Sequence, residues 1–172
     1  MDIDSNRLKQ KICFVLPTYN EEENIKNIIE LILEEGGNQR TNTFSILVVD
    51  DNSSDKTQVI VKGVIDLTDN VFLISGPKKG LGDAYKRGFV YALDNLEADV
   101  IFQMDADGQH DTSLIPKFLN EIEEGRDVVI GSRYIAGGSM PDFSIFRLLI
   151  SKIGNLLVRY IGGVIYIKDC TS

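Results

Sequence analysis

Five short apolar runs, each followed at once by a polar cluster and spaced by helix-periodic segments, constrain this chain more than any other feature. The runs are residues 12–16 (ICFVL, closed by Pro17), 44–49 (FSILVV), 71–75 (VFLIS), 99–104 (DVIFQM) and 128–130 (VVI). Continuous apolar runs of this length, rich in Val, Ile and Phe, predict strands buried on both faces. Between them, residues 22–35 place Ile25, Ile28, Ile29, Ile32 and Leu33 on one helical face, with Gly36-Gly37 as a stop. Residues 57–67, 81–96 and 113–124 read as further helices, the last capped by Asp111, Thr112 or Ser113. Alternation of this kind predicts an α/β fold: a mostly parallel sheet with helices on both faces, a three-layer α/β/α sandwich.

In such sheets ligands bind beyond the carboxyl ends of the strands. Each predicted strand is indeed followed by a polar cluster: PTYNEEEN, DDNSSDKT, GPKKGLG, DADGQH and GSRY. Five such loops on one edge of one sheet would make a site.

Composition narrows what that site handles. With 172 residues, 43% hydrophobic and 26% charged, the chain suits one soluble domain with its own core. The net charge of −8 argues against nucleic acid as a partner. The two cysteines, Cys13 and Cys170, give neither a disulfide framework nor metal spacing, and Cys13 reads as a buried small hydrophobe. The opening MDIDSNRLKQK has no apolar signal region, and no uninterrupted apolar run reaches a bilayer-spanning length. The expectation is a soluble or peripheral protein.

The most specific cluster is Asp105-Ala106-Asp107-Gly108-Gln109-His110. Residues i and i+2 leave a strand on the same side, so Asp105 and Asp107 converge. Two carboxylates that close repel unless a cation lies between them. An oxygen-liganded Mg²⁺ or Mn²⁺ fits, with Gln109 as a third ligand. The bland alternative is a surface turn. In Asp50-Asp51-Asn52-Ser53-Ser54-Asp55-Lys56-Thr57, Asp51 is the choice for accepting a nucleobase N–H, while Ser54 or Asp55 caps the next helix. In Pro17-Thr18-Tyr19-Asn20-Glu21, Tyr19 suits the face of a base or ribose and Glu21 a hydroxyl. A helix entry with acidic residues explains the same segment. Lys78-Lys79-Gly80-Leu81-Gly82 lacks the spacing of a phosphate-binding P-loop and reads as a tight turn with added positive potential. Arg133, in GSRY, can fork onto phosphate oxygens. His110, the single histidine, reads as a scaffold residue rather than a base.

In this order, PTYNEEEN, VVDDNSSDKT, KKGLGDAY, MDADGQH, GSRY and the final DCTS resemble the inverting family-two glycosyltransferases, in particular their dolichyl-phosphate mannosyltransferase and polyprenyl-phosphate glycosyltransferase branch. The resemblance runs from Pro17 to Ser172. It implies a nucleotide-diphospho-sugar transferase fold of the GT-A kind. It also implies nucleotide contacts at Pro17, Tyr19, Glu21, Val49 and Asp51, and a diphosphate-sugar along Asp105, Ala106 and Asp107. A metal would be held by Asp105, Asp107 and Gln109, and phosphate by Arg133. Asp107 and Arg133 are then the catalytic pair.

The implied reaction is metal-dependent transfer of a hexose, from a donor of the GDP-mannose or UDP-glucose type, to a polyprenyl phosphate with inversion. A phosphate monoester is already an anion near neutral pH and attacks without a general base, which suits a chain with a single histidine. A hydroxyl acceptor would need Asp107 or a downstream carboxylate as base. The alternatives are a transferase for a polysaccharide or protein acceptor and a non-catalytic nucleotide-sugar-binding fragment.

Residues 145–161 (IFRLLISKIGNLLVRYI) read as a helix with Arg147, Ser151, Asn155 and Arg159 in one polar stripe. It suits either a lipid interface or ordinary packing, and the stretch 143–161 is where contact with a membrane or partner subunit is expected. The expected location is cytoplasmic, peripheral on a membrane's cytoplasmic face. Residues 1–10 read as a polar tail and 11–172 as a catalytic domain, shortened where the family pattern runs on past Asp169-Cys170-Thr171-Ser172.

Overall fold

The computed structural model describes residues 9–37, 42–108 and 110–132, together with Ile153, Gly154, Leu156 and Tyr160. These fall into two compact units that divide between Lys117 and Phe118. The first unit contains the sheet and the loops of interest.

Four strands form that sheet: β1 (Lys11–Thr18), β2 (Thr43–Asp50), β3 (Val71–Ser75) and β4 (Val100–Gln103). All pairings are parallel, and the order is β3-β2-β1-β4. The register pairs Phe14 with Ile46 and with Phe102, so alternate residues of neighbouring strands share a face.

Helices cover both faces, as the alternation predicts. On one, Cys13, Val15, Leu47 and Val49 join Ala84, Tyr85 and Ala92 of α3 (Leu81–Asp94) in a single buried cluster. The approach is close enough to require glycine at position 88, where a Cβ would lie 2.4 Å from Val15 Cγ1 and 3.0 Å from Val49 Cγ2. On the other face, the Phe14 ring stacks between Phe44 and Phe102, with centroids 6.0 and 4.6 Å away. Here α1 (Ile25–Gly37) covers the sheet, its last turn resting Gly36 on the Phe44 ring. Its Ile25, Ile28, Ile29 and Ile32 are buried, and side chains of this size contribute about 1.5–3 kcal/mol each on burial. The next helix, α2 (Thr57–Ile65), packs on α1 and β3.

The strand order places the site. The chain steps from β1 to β2 to β3 in one direction, then returns past β1 to β4. The order therefore reverses between β1 and β4. A crevice opens outside the carboxyl ends of strands at such a reversal.

Several boundaries shift. The chain enters α1 through a turn in which the Glu21 carbonyl accepts from the amides of Asn24 and Ile25, so the helix begins at Ile25 rather than at residue 22. Asp111 is the cap among the three candidates, accepting from Ser113 N at 3.0 Å. It starts a 3₁₀ turn, Thr112–Leu114, that runs into α4 (Ile115–Glu123). Asp55, not Ser54, receives the first amide of α2, from Thr57 at 2.9 Å.

One expectation fails. Residues 128–130 are not a strand. Val128 is 74% and Ile130 49% exposed, and among the described residues no strand pairs with this run. Three apolar residues bury too little surface to hold an extended segment without a partner. In this second unit Arg126 meets Glu121 at 3.6 Å, and Ile153, Gly154, Leu156 and Tyr160 are helical. No helix among the described residues is long and apolar enough to cross a membrane. Arg147, Ser151, Asn155, Arg159 and Cys170 lie outside the described residues.

Candidate active site

Four loops leave the carboxyl ends of the four strands, and their side chains interlock. Asp50, the last residue of β2, is fully buried. Its carboxylate accepts from Thr18 Oγ1 at 3.0 Å, Ser53 N at 2.9 Å and Gln58 Nε2 at 2.6 Å, and also from Ser53 Oγ. Charge-assisted bonds of this kind make a buried carboxylate tolerable without a cation.

The loops after β1 and β2 are stitched together further out. Asn20 takes a left-handed backbone conformation (φ 59°), from which its amide donates to Ser53 Oγ at 2.9 Å. Its Oδ1 accepts from Ser54 N, also at 2.9 Å. Glu21 N donates to Thr57 Oγ1 at 2.9 Å, and Glu22 and Asp55 exchange bonds with the opposite loop at 2.9–3.1 Å. The result is a rigid two-loop platform.

Asp51 points elsewhere. Its amide donates to Thr18 O at 2.9 Å, and its carboxylate pairs with the Arg87 guanidinium. The Glu21 carboxylate is half-buried and accepts from Asn24 Nδ2 at 3.1 Å. Tyr19 is 42% exposed, with Lys78 Nζ poised 3.2 Å from its ring centroid, a cation–π contact.

Across the reversal, the chain leaves β4 into Asp105, Ala106 and Asp107. Tyr85 donates its hydroxyl to Asp105 Oδ1 at 2.7 Å, and His110 Nε2 lies 3.5 Å from Oδ2. The hydrogen bond from His110, together with that from Tyr85, holds the Asp105 carboxyl below the usual carboxylate range. The same bond to Asp105 raises the His110 imidazole against the opposing effect of burial, and the charges of Asp105 and Asp107 add to it. Burial first, and then the neighbouring Asp105, push the Tyr85 phenol far up, so it serves as a permanent donor. The charges of both carboxylates reach His110 and Tyr85. Among the described residues no group of three or more His, Cys, Asp or Glu side chains is placed to hold a metal ion. Gln109 lies outside the described residues.

Comparison with known proteins gives the family. The profile of glycosyl transferase family 2 matches residues 13–170. The chain belongs to that family. A dolichol-phosphate mannosyltransferase of Pyrococcus furiosus is 37% identical over 142 residues, 83% of this chain and 38% of the relative. A polyprenol monophosphomannose synthase of Mycolicibacterium smegmatis is 34% identical over 168 residues, 96% of this chain and 61% of the relative. The chain thus spans between about a third and two thirds of these relatives' lengths. Among solved structures, glucosyl-3-phosphoglycerate synthase of Mycobacterium tuberculosis bound to UDP superposes with a TM-score of 0.52 at 22% identity, over 67% of this chain and 41% of that one. The same enzyme bound to Mn²⁺, UDP and glucosyl-3-phosphoglycerate gives 0.50 at 21% identity, over 66% and 39%. The likeness shows the fold: this family 2 domain is GT-A-like, with a parallel sheet between helices.

Within this family 2 domain the nominated residues divide into three groups. Tyr19, Glu21, Asp51, Asp105 and Asp107 all leave the carboxyl edge of the sheet. Pro17, Val49 and Ala106 are there too, but their side chains are buried, Val49 within the core cluster under α3. Arg133 and Gln109 lie outside the described residues; of the GSRY segment only Gly131 and Ser132 are described.

The residues that sequence reasoning passed over are mostly those that hold others. Asp50 adjoins the nominated Asp51, and the pleat, which turns neighbours to opposite sides, gives it a different role. Tyr85 carried a signal, because a tyrosine on the buried face of a helix needs a partner for its hydroxyl. Arg87 carried only half of one. Its i, i+4 spacing from Asp83 was legible, whereas its pairing with Asp51, 36 residues away, was not.

Proposed function

We propose that this family 2 domain transfers a hexose from a nucleoside diphosphate sugar to a polyprenyl phosphate, with inversion at the anomeric carbon. The observation that carries this reading is that the chain leaves β4, beside the β1/β4 reversal, into Asp105-Ala106-Asp107, with Tyr85 donating to Asp105. The kinship with a dolichol-phosphate mannosyltransferase and a polyprenol monophosphomannose synthase supports the choice of sugar and acceptor.

The donor set suits a hard divalent cation, Mg²⁺ or Mn²⁺. It is all oxygen, and Asp107 is exposed. One oxygen of Asp105 is fixed by Tyr85, while the other, among the described residues, has the long contact to His110. Asp105, Asp107 and Gln109 would hold the ion, which would supply charge neutralisation for a departing diphosphate. The Mn²⁺ bound to glucosyl-3-phosphoglycerate synthase, a protein of the same fold, is consistent with this.

The chain's own residues do the rest. Beside the two-loop platform, Asp51 would accept a base N–H, Tyr19 would lie along the base or ribose, and Glu21 would accept from a hydroxyl. Pro17, Val49 and Ala106 contribute main-chain atoms, since their side chains are buried. Lys78 supplies positive potential beside Tyr19. Arg133 binds phosphate. An acceptor phosphate that is already anionic requires no proton removal, so His110 keeps a positioning role on Asp105. Ile153, Leu156 and Tyr160, about half or more exposed on a helix, support an approach to the membrane that holds such an acceptor, on its cytoplasmic face.

The test is transfer of radiolabel from GDP-mannose and from UDP-glucose to a short-chain polyprenyl phosphate, with Mn²⁺ or with chelator. Metal-dependent label in the lipid phase is the expected result. Label transferred equally well to a free sugar, or without any divalent ion, would reject the proposal.

A further inference from the structure

The first two turns of α3, with the loop before them, send a side chain to each of the other three loops: Lys78 to Tyr19, Arg87 to Asp51 and Tyr85 to Asp105. Tyr85 meets a carboxylate that also has His110 as a partner. The contact between Arg87 and Asp51 is different in kind.

The Asp51 side chain is 7% exposed and that of Arg87 25%. The guanidinium is gripped from two sides, with Nη2 on Asp51 Oδ1 and Nε donating to Asp83 Oδ2 at 3.1 Å. Its remaining nitrogen, Nη1, is buried against Gly76 and has no hydrogen-bond partner among the described residues. A Cβ on Gly76 would lie 2.5 Å from that atom. A partly satisfied buried guanidinium lowers stability relative to an apolar side chain of similar volume. Stability alone therefore does not account for this arrangement.

We infer that Arg87 is a positioning residue that sets the carboxylate of Asp51 for reading the nucleobase. A planar guanidinium fixes the plane of the carboxylate it pairs with. With Oδ1 taken, Oδ2 is the oxygen left to accept from a ligand. An oxygen that only accepts selects a base whose ring nitrogen carries hydrogen, as in guanine and uracil, over adenine and cytosine, whose corresponding nitrogens are acceptors. Asp83 anchors the far side of Arg87, and Gly76 leaves room for it to reach.

The inference rests on the proposed role of Asp51 as the base acceptor, and the experiment separates the two. Binding of GDP, UDP, ADP and CDP is measured by calorimetry with Mn²⁺ for the wild type and for Asp51→Asn, Arg87→Met, Arg87→Lys and Gly76→Ala. The readout is the affinity of the better of GDP and UDP divided by that of ADP. Wild type is expected to discriminate and Asp51→Asn to lose it. Arg87→Met should reduce the ratio about tenfold with ADP binding unchanged, the scale of one charge-assisted hydrogen bond. Arg87→Lys should recover part of the ratio. Gly76→Ala, which keeps the charge but displaces the guanidinium, should reduce the ratio about threefold on the same scale. It also reads the question if Arg87→Met does not fold. A wild type without discrimination, or Asp51→Asn retaining it, sinks the role of Asp51 itself. Discrimination lost in Asp51→Asn but kept in the Arg87 and Gly76 variants overturns the inference alone. So does an equal fall for all four nucleotides, which would mark Arg87 as merely structural.

Discussion

The two halves of the site are built differently. Around β1 and β2 the loops are bound to each other before any ligand arrives: Asp50 gathers Thr18, Ser53 and Gln58, while Asn20, Glu21 and Glu22 close onto Ser53, Ser54, Thr57 and Asp55. At the end of β4, Asp105 meets Tyr85 and, at long range, His110. The difference suits what each half is proposed to bind. A nucleoside is read by fixed donors and acceptors, so rigidity there raises affinity by lowering the ordering cost. Paired carboxylates meant for a cation repel one another, and their best geometry exists only with the cation present.

If the platform is preformed, removing its hub should unfold it rather than weaken ligand binding selectively. Asp50→Ala leaves the donors of Thr18, Ser53 and Gln58 without an acceptor in a buried site. A loss of about 3 kcal/mol is expected from two or three unpaired buried groups, measured by urea unfolding. A loss under about 1 kcal/mol, the range of ordinary surface substitutions, would show that the platform is not held through Asp50. On the β4 side the next-largest effect should be the reverse: Asp107→Ala should leave unfolding almost unchanged and weaken Mn²⁺-dependent GDP or UDP binding by at least about 100-fold, roughly 2.7 kcal/mol. Unchanged Mn²⁺ dependence would break both the comparison and the metal assignment.

The same contrast explains what was legible in the sequence. The period of the apolar runs gave four strands and four helices to within a few residues, because each turns apolar side chains inward at a regular spacing, as Ile25, Ile28, Ile29 and Ile32 do. The run 128–130 misled because apolar residues predict burial only when something lies opposite them. The position of Asp105 and Asp107 just past β4 was legible because the end of an apolar run is a local signal. Asp50 and Arg87 were not, since their roles depend on partners that parallel pairing and the return to β4 bring near. Local chemistry can be read from neighbours in sequence, whereas a support exists only after topology is known.

Tyr85 sharpens the comparison at smaller scale. Tyr85→Phe keeps the ring beside Phe89, 5.7 Å between centroids, and removes only the hydroxyl that holds Asp105 Oδ1. Residues that orient a metal ligand typically contribute 10- to 100-fold to affinity, and with a second partner at His110 the lower end is expected. Mn²⁺ affinity, followed by electron paramagnetic resonance, should fall about tenfold, while the preference of GDP or UDP over ADP stays put. A shift in base preference would mean that the two halves are coupled through α3.

The smallest effect belongs to the platform's rim. Asn20 sits at φ 59°, where a non-glycine side chain is strained, yet its Oδ1 accepts the Ser54 amide at 2.9 Å. Two substitutions separate strain from bonding. Asn20→Gly relieves the strain and loses the bond, whereas Asn20→Ala keeps the strain and loses the bond. About 1 kcal/mol is expected for the alanine variant and a few tenths for the glycine variant, since asparagine already tolerates this region better than most residues. Equal losses would show that the bond to Ser54 alone matters. A glycine variant more stable than wild type would show that the loop junction carries strain its hydrogen bonds do not offset, and the β1–β2 side would then be less preorganised than its bonding suggests.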